Sequence, residues 1–140
     1  GLAVGEAVIF FDLEPAEEFA YRCKQAGQLC SKMRFMAAQW LGALKNGTWL
    51  RYAGHANQCA ARLEESIQNI PELEILYPRQ ANSLFVKMPD AVLRFMNDKG
   101  WHLYTFIGTG GARLMCSWDT KEETVSALIQ DLKAAIVETR

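Results

Sequence analysis

The most informative residue for chemistry is Arg113, which lies in a short, mostly apolar segment after the glycine-rich run Gly108–Gly111. The alternation of a β-strand would place Arg113 on one face with Met115 and Ser117. A planar guanidinium donates paired hydrogen bonds that match the two oxygens of a carboxylate. The pattern therefore indicates either a carboxylate-binding arginine or a structural ion pair, and the residues alone leave both open.

The glycines of Gly108–Gly111 predict a hairpin loop, because glycine adopts positive φ without steric cost. The run is not a phosphate-binding P-loop, since no Gly-Lys-Ser/Thr follows it and no helix begins there. The spacing therefore favours a hairpin loop for this run.

A second feature is a stretch of chain that carries cations and no anions. From Phe19 to Leu63 there is no Asp or Glu, but there are seven basic residues: Arg22, Lys24, Lys32, Arg34, Lys45, Arg51 and Arg62. Such a segment favours phosphate or carboxylate. The alternative is a solvated face whose acidic partners lie elsewhere in the fold or on another subunit.

The cysteines and histidines do not form a recognisable catalytic or metal-binding motif. None of the four cysteines has C-x-x-C spacing, and His55 and His102 are isolated. His102 is interpreted as a core or edge residue of an aromatic strand. Cys59 and Cys116 fall within apolar patterns, which predicts buried thiols and a cytoplasmic location.

The composition limits the class of protein. The chain has 140 residues, 50% hydrophobic and 22% charged, with a formal net charge of −1. These values exclude a disordered chain and give no whole-protein argument for nucleic acid or membrane partners. No apolar run approaches the roughly 20 residues that span a bilayer.

The predicted elements that position these residues begin with a short strand, followed by helices. Ala7–Phe11 is predicted to be a strand, and a helix begins at Pro15, is broken or kinked near Gly27, and continues through Ser31–Leu44. A second helix is predicted over about Thr48–Asn69, since its apolar residues recur every three or four positions. The apolar helix around Trp40 is expected to pack against a neighbouring domain or subunit.

The remainder alternates strands and helices. Strands are predicted at Leu73–Tyr77, Ser83–Met88, Trp101–Ile107 and Ala112–Trp118, with a helix over Pro89–Lys99. Thr120 and Glu123 suggest a capping box at the start of a last helix with a continuous apolar stripe. The series predicts an α+β fold: a small antiparallel sheet of about four strands with helices packed on one face.

Three ordered segments carry a family resemblance. They are Gly1–Val8 (GLAVGEAV), Lys24–Phe35 (KQAGQLCSKMRF) and Gly108–Asp119 (GTGGARLMCSWD). Together they resemble low-specificity L-threonine aldolase, a family of fold-type I pyridoxal-phosphate lyases that cleave β-hydroxy-α-amino acids to glycine and an aldehyde. The resemblance covers nearly the whole chain and keeps its order.

The resemblance implies that the chain is the C-terminal part of such an enzyme. Residues 1–46 would be the last strand of the large domain with linking helices, and residues 47–140 the small C-terminal domain. The lysine that anchors the cofactor as a Schiff base would lie ahead of Gly1. No lysine here matches it, and neither Lys24 nor Lys32 is assigned that role.

The resemblance also assigns the site residues. Arg113 matches the arginine that binds the substrate α-carboxylate. Arg34 matches a basic residue near the cofactor phosphate at the subunit interface, with Lys24 as its companion. The implied cofactor is pyridoxal phosphate in the intact family, and none is expected to bind this chain alone.

The implied reaction is cleavage of L-threonine or allo-threonine to glycine and acetaldehyde, with this chain inactive by itself. The expected partners are a small amino acid and either a second copy or the missing N-terminal large domain. The alternative is a stand-alone amino-acid-binding or assembly module that kept the fold without catalysis.

Overall fold

A computed structural model describes residues 2–106 and 110–139 of the chain. Over these residues it contains five α-helices and three β-strands. In chain order they are α1 (Phe19–Gln25), α2 (Met33–Leu44), α3 (Thr48–Ile67), β1 (Glu74–Ile75), β2 (Ser83–Lys87), α4 (Asp90–Asp98), β3 (Ala112–Met115) and α5 (Glu122–Glu138). Short 3₁₀ turns occupy Glu14–Ala16 and Lys45–Gly47. The chain divides into two compact units, Gly1–Trp49 and Leu50–Arg140.

The first unit begins with irregular chain held against α2. The backbone N–H groups of Ala3 and Val4 donate to Gln39 Oε1 at 3.0 and 3.2 Å. Gly5 has φ +125°, and a Cβ there would lie 2.8 Å from Trp40 Nε1, so only glycine permits this close approach.

The predicted strand at Ala7–Phe11 does not form within the described residues, because no described segment pairs with it. Ile9 is 74% exposed and Phe11 is 99% exposed. An apolar run becomes a strand only when another strand supplies its hydrogen-bond partners and buries one face. Local pattern alone cannot provide either.

The predicted break near Gly27 is confirmed. Helix α1 ends at Gln25, Gly27 has φ +69°, and α2 begins only at Met33. Helix α2 has no buried residue within the described chain, and Phe35 and Leu41 on it are exposed. Its burial against another domain or subunit therefore stays a prediction.

The second unit is built on a three-stranded antiparallel sheet in the order β1-β2-β3. In β2, Leu84 and Val86 are buried, and in β3 Ala112 and Leu114 are buried, so one face of the sheet forms the core. Helices α3, α4 and α5 contribute the other buried side chains, which confirms the α+β class with helices on one face.

The fourth predicted strand, Trp101–Ile107, is reduced to a single bridge between Thr105 and Ala112. His102 has φ +52°, which interrupts the extended backbone that a strand needs. Over the described residues the sheet therefore has three strands, where about four were predicted. Ile107 lies outside the described residues, as do Gly108 and Thr109 of the predicted hairpin loop.

The predicted strand over Ala112–Trp118 is shorter than expected. The strand ends at Met115. Beyond it, Cys116 hydrogen-bonds to Asn82, the residue before β2: Cys116 N donates to Asn82 O at 2.9 Å, and Asn82 Nδ2 donates to Cys116 O at 2.6 Å. All four cysteines are free thiols, and the predicted burial of Cys59 and Cys116 is confirmed.

The predicted capping box at Thr120 and Glu123 is wrong. Helix α5 begins at Glu122, and the flanking Lys121 makes no side-chain capping bond. The hydroxyl of Thr120 instead accepts from the Ser117 N–H at 2.8 Å, because the chain turns before the helix starts. The apolar stripe of α5 is nevertheless buried at Val125, Leu132, Ala135 and Ile136, as predicted.

Among the described residues, no helix is both long enough and apolar enough to cross a membrane.

Candidate carboxylate-binding cleft

Arg113 lies on β3, on the sheet face opposite the helices. Its cross-strand partner in the register of β2 and β3 is Phe85. Residues on either side of Arg113 in β3 are buried, whereas Arg113 itself is half-buried. The predicted alternation is thus observed at Arg113, and its guanidinium lies at the surface of the unit.

The segment before the loop positions an aromatic residue beside this arginine. The bridge between Thr105 and Ala112, together with the 2.8 Å bond from Phe106 N to Gly111 O, aligns the two segments antiparallel. In that register Tyr104 lies opposite Arg113. Arg113 Nη2 donates to the Tyr104 hydroxyl oxygen at 3.0 Å.

Aromatic rings on the same face of the sheet also contact the Arg113 guanidinium or one another. The Arg113 Cζ lies 5.2 Å from the centroid of the Phe106 ring, within cation–π range. Phe106 in turn contacts Phe85 edge-on, with centroids 5.7 Å apart. The guanidinium therefore has a hydroxyl on one side and an aromatic ring on another.

A cleft of about 320 Å³ opens beside Arg113 along β3, the edge strand of the sheet. Its walls come from Trp101–Tyr104, from β3 and the residues after it, and from the start of α5. Most lining side chains are apolar, and no lysine or carboxylate lines it within the described chain. A site of this composition can bind a ligand that carries one carboxylate on a small organic body.

Arg113 forms no ion pair with another residue in 2–106 or 110–139, so the structural ion pair that the sequence left open is not observed there. The ion pairs among these residues include Arg22–Glu18, Arg62–Glu122, Arg79–Glu64 and Lys87–Glu74, none of which involves Arg113. Arg113 therefore retains guanidinium donors beyond the one given to Tyr104.

Of the two buried cysteines, Cys116 lines the cleft, and Cys59 is close enough to influence its pKa. Burial raises the pKa of the Cys116 thiol, and the neighbouring Cys59 raises it further. His55 Nε2 donates to the Thr120 carbonyl at 2.7 Å and lies 3.7 Å from Cys59 Sγ. These groups are packed together, which suits a structural role beside the cleft. His102, interpreted as a core or edge residue, is exposed at the cleft.

The turn at the entrance to α5 carries one perturbed carboxyl. The Ser117 hydroxyl donates to Asp119 Oδ1, and this bond, followed by a backbone hydrogen bond, lowers the pKa of Asp119 below its ordinary range. Since the folded pKa is depressed, the stabilisation is present above the unfolded pKa and is lost as the pH falls through the folded value.

We predict that the substitution Ser117→Ala raises the pKa of Asp119 back toward its ordinary value. Carboxyl carbon NMR shifts followed through an acid titration would measure the change. The matched control is Ser126→Ala, because that hydroxyl donates to the Glu122 carbonyl and does not touch Asp119. Equal Asp119 titrations in the wild type and in Ser117→Ala would contradict the assignment.

The other predicted site residues, Arg34 and Lys24, lie in the first unit. Arg34 is the second residue of α2, and Lys24 is in the last turn of α1. Both are exposed, and neither forms an ion pair with another described residue. Of the seven cations in the acid-free stretch, Arg22 and Arg62 have carboxylate partners, as the solvated-face alternative expects.

Sequence reasoning missed Tyr104 and Phe106 as neighbours of Arg113. The aromatic pattern of residues 101–107 predicts only that both belong to a packed strand. The signal that could have found them is register: an antiparallel pairing across the Gly108–Gly111 loop places residues 104 and 106 on the face of Arg113.

This fold is of the class found in fold-type I pyridoxal-phosphate enzymes. The structure is similar to a solved threonine aldolase of Leishmania major, with a TM-score of 0.76 and 23% identity, over 86% of this chain and 36% of that one. No protein-family model matches the chain.

Two curated relatives are similar to the chain over nearly its whole length. A low specificity L-threonine aldolase of Pseudomonas sp. (strain NCIMB 10558) is 53% identical over 136 residues, and one of Pseudomonas aeruginosa is 51% identical over 133 residues. These matches cover 97% and 95% of this chain, but only 39% and 38% of the relatives. The chain is a partial-length homologue of low specificity L-threonine aldolase, as its motifs predicted.

Proposed function

We propose that the chain supplies the substrate-carboxylate clamp of a threonine-aldolase-like lyase that cleaves L-threonine or allo-threonine to glycine and acetaldehyde. The observation that supports this most strongly is Arg113, half-buried beside a cleft and without a carboxylate partner among the described residues. Its remaining donors match the two oxygens of an α-carboxylate. The bound species is a small amino acid.

The cofactor of the intact enzyme would be pyridoxal phosphate, which when bound accepts the electrons of the broken bond. The residues of this chain fit only part of that group's needs. All seven lysines are exposed, and no lysine lines the cleft within the described residues. We therefore expect a segment or chain outside these residues to supply the covalent anchor, and no step through the cofactor is derived for this chain.

The basic residues Arg34 and Lys24 are proposed to contribute positive charge to the cofactor phosphate. Their exposure without ion-pair partners in the described chain leaves both cations available to a phosphate. Residues 1–46 are proposed to complete the large domain and residues 47–140 to form the small one. Exposed Ile9 supports this assignment, since a strand partner in a longer protein would cover it.

Two arms of one experiment test this function. We expect the chain alone, mixed with pyridoxal phosphate and L-threonine, to release no acetaldehyde, and borohydride reduction to label exposed lysines only in scattered, substoichiometric amounts. A chimera in which this chain replaces the homologous segment of the Pseudomonas sp. relative should release acetaldehyde. Stoichiometric labelling of one lysine in the chain alone would contradict its inactivity.

The second candidate function is a stand-alone amino-acid-binding module, favoured by the presence of Arg113 and its cleft within one compact unit. Calorimetry of the chain with L-threonine distinguishes the two candidates. Tight binding by the chain together with an inactive chimera would favour the module, whereas an active chimera favours the lyase.

A further inference from the structure

The observation that goes beyond a carboxylate-binding arginine is the way its guanidinium is held. A guanidinium has five N–H donors. One of them, on Nη2, is directed to the Tyr104 hydroxyl at 3.0 Å, and the Phe106 ring centroid lies 5.2 Å from Cζ. Two different aromatic residues of one segment therefore contact the same cation.

The segment that carries Tyr104 is itself anchored on its core side. Trp101 Nε1 donates to Asp131 Oδ2 on α5 at 2.8 Å, and Asn97 Nδ2 on α4 donates to the Leu103 carbonyl at 2.9 Å. On the other side, the Thr105–Ala112 bridge ties the segment to β3. Tyr104 is thus fixed relative to both the helices and the strand of Arg113.

Arginine has many rotamers, and a ligand that must immobilise the side chain loses affinity to the entropy of that ordering. A contact that orders the side chain before the ligand arrives removes part of this cost. We propose that Tyr104 is a positioning residue: its hydroxyl, with the Phe106 ring, holds the Arg113 guanidinium in place for the substrate carboxylate. This inference rests on the proposed function of Arg113.

The substitution Tyr104→Phe tests the proposal, because it removes the hydroxyl and keeps the ring. Tyr52→Phe is the matched control, because Tyr52 is 44% exposed and Tyr104 is 56% exposed. Tyr52 contacts the Trp118 ring, and neither is among the described residues that line the cleft. The first readout is rotation of the Arg113 guanidinium in the chain without ligand, measured from its side-chain nitrogen NMR signals. We expect faster rotation in Tyr104→Phe and no change in Tyr52→Phe.

The second readout is kinetic, in the chimera with the Pseudomonas sp. relative. Loss of one hydrogen bond to a charged group should raise KM for L-threonine about fivefold in Tyr104→Phe, with kcat within about twofold. A residue that only stabilised the fold would not separate KM from kcat in this way, and Tyr52→Phe should match the wild type.

Unchanged guanidinium rotation in Tyr104→Phe would overturn the proposal. So would faster rotation with an unchanged KM, since the restraint would then not serve the substrate. The substitution Arg113→Ala distinguishes a failure of the proposed function from a failure of the Tyr104 proposal. If Arg113→Ala leaves KM for L-threonine unchanged, the carboxylate-binding role of Arg113 is wrong. That conclusion holds whatever guanidinium rotation is measured in Tyr104→Phe.

Discussion

In the chimera with the Pseudomonas sp. relative, Arg113→Ala is expected to lower kcat/KM for L-threonine by roughly 100-fold, corresponding to about 3 kcal/mol. Arg113 has no carboxylate partner within residues 2–106 and 110–139, so its charge is available to a ligand. Removing it would leave the substrate carboxylate desolvated without its two-bond partner. Acetaldehyde release over a range of L-threonine concentrations measures the effect.

Two further variants test whether the effect depends on the position of the charge and on the planar guanidinium. Arg94→Ala removes the same charge from an exposed position on α4 that forms no ion pair with another described residue, and it should leave kcat/KM within about twofold. Arg113→Lys keeps the charge but loses the planar fork, so it should remain well below the wild type. If Arg113→Ala matched Arg94→Ala, the clamp would be disproved.

The largest effect on stability is expected for Leu132→Ala, which should reduce the free energy of unfolding of the second unit by about 3 kcal/mol. Leu132 is 0% exposed and belongs to the buried cluster formed by the helices and the sheet. Truncation removes the transfer free energy of three carbon atoms and leaves a cavity that close-packed neighbours fill only in part.

Native-state hydrogen exchange at the Leu84 and Leu114 amides reports opening of this unit separately from residues 1–49. Val137→Ala is the control on the same helix, because Val137 is 71% exposed and its truncation should cost less than about 0.5 kcal/mol. Equal protection in the two variants would show that Leu132 does not pack as described.

Much of the fold was predictable because it depends on local periodicity. The apolar residues of α3 and α5 recur at helical spacing, and the same residues are buried in the structure. The break at Gly27 followed from the conformational freedom of glycine. Arg113 was placed on a strand and on the correct face by alternation alone.

The failed predictions share a physical cause. Ala7–Phe11 has the apolar pattern of a strand, but strand formation requires a partner that the pattern does not specify. Thr120 has the spacing of a capping residue, but its hydroxyl accepts from Ser117 in a competing turn. The segment around His102 is rich in aromatic residues, but positive φ at that residue stops the strand. In each case the outcome depended on a partner, a turn or a backbone angle that the residue pattern does not specify.

The sequence by itself determined the resemblance to low specificity L-threonine aldolase, the α+β class and the choice of Arg113 as the candidate carboxylate ligand. These follow from ordered motifs and short-range spacing. Only the tertiary structure decided that Tyr104 and Phe106 hold the guanidinium and that the cleft opens at the edge of β3. The physical reason is that residue type and period are local properties. Which side chains meet depends on strand register and on where the helices anchor the intervening chain.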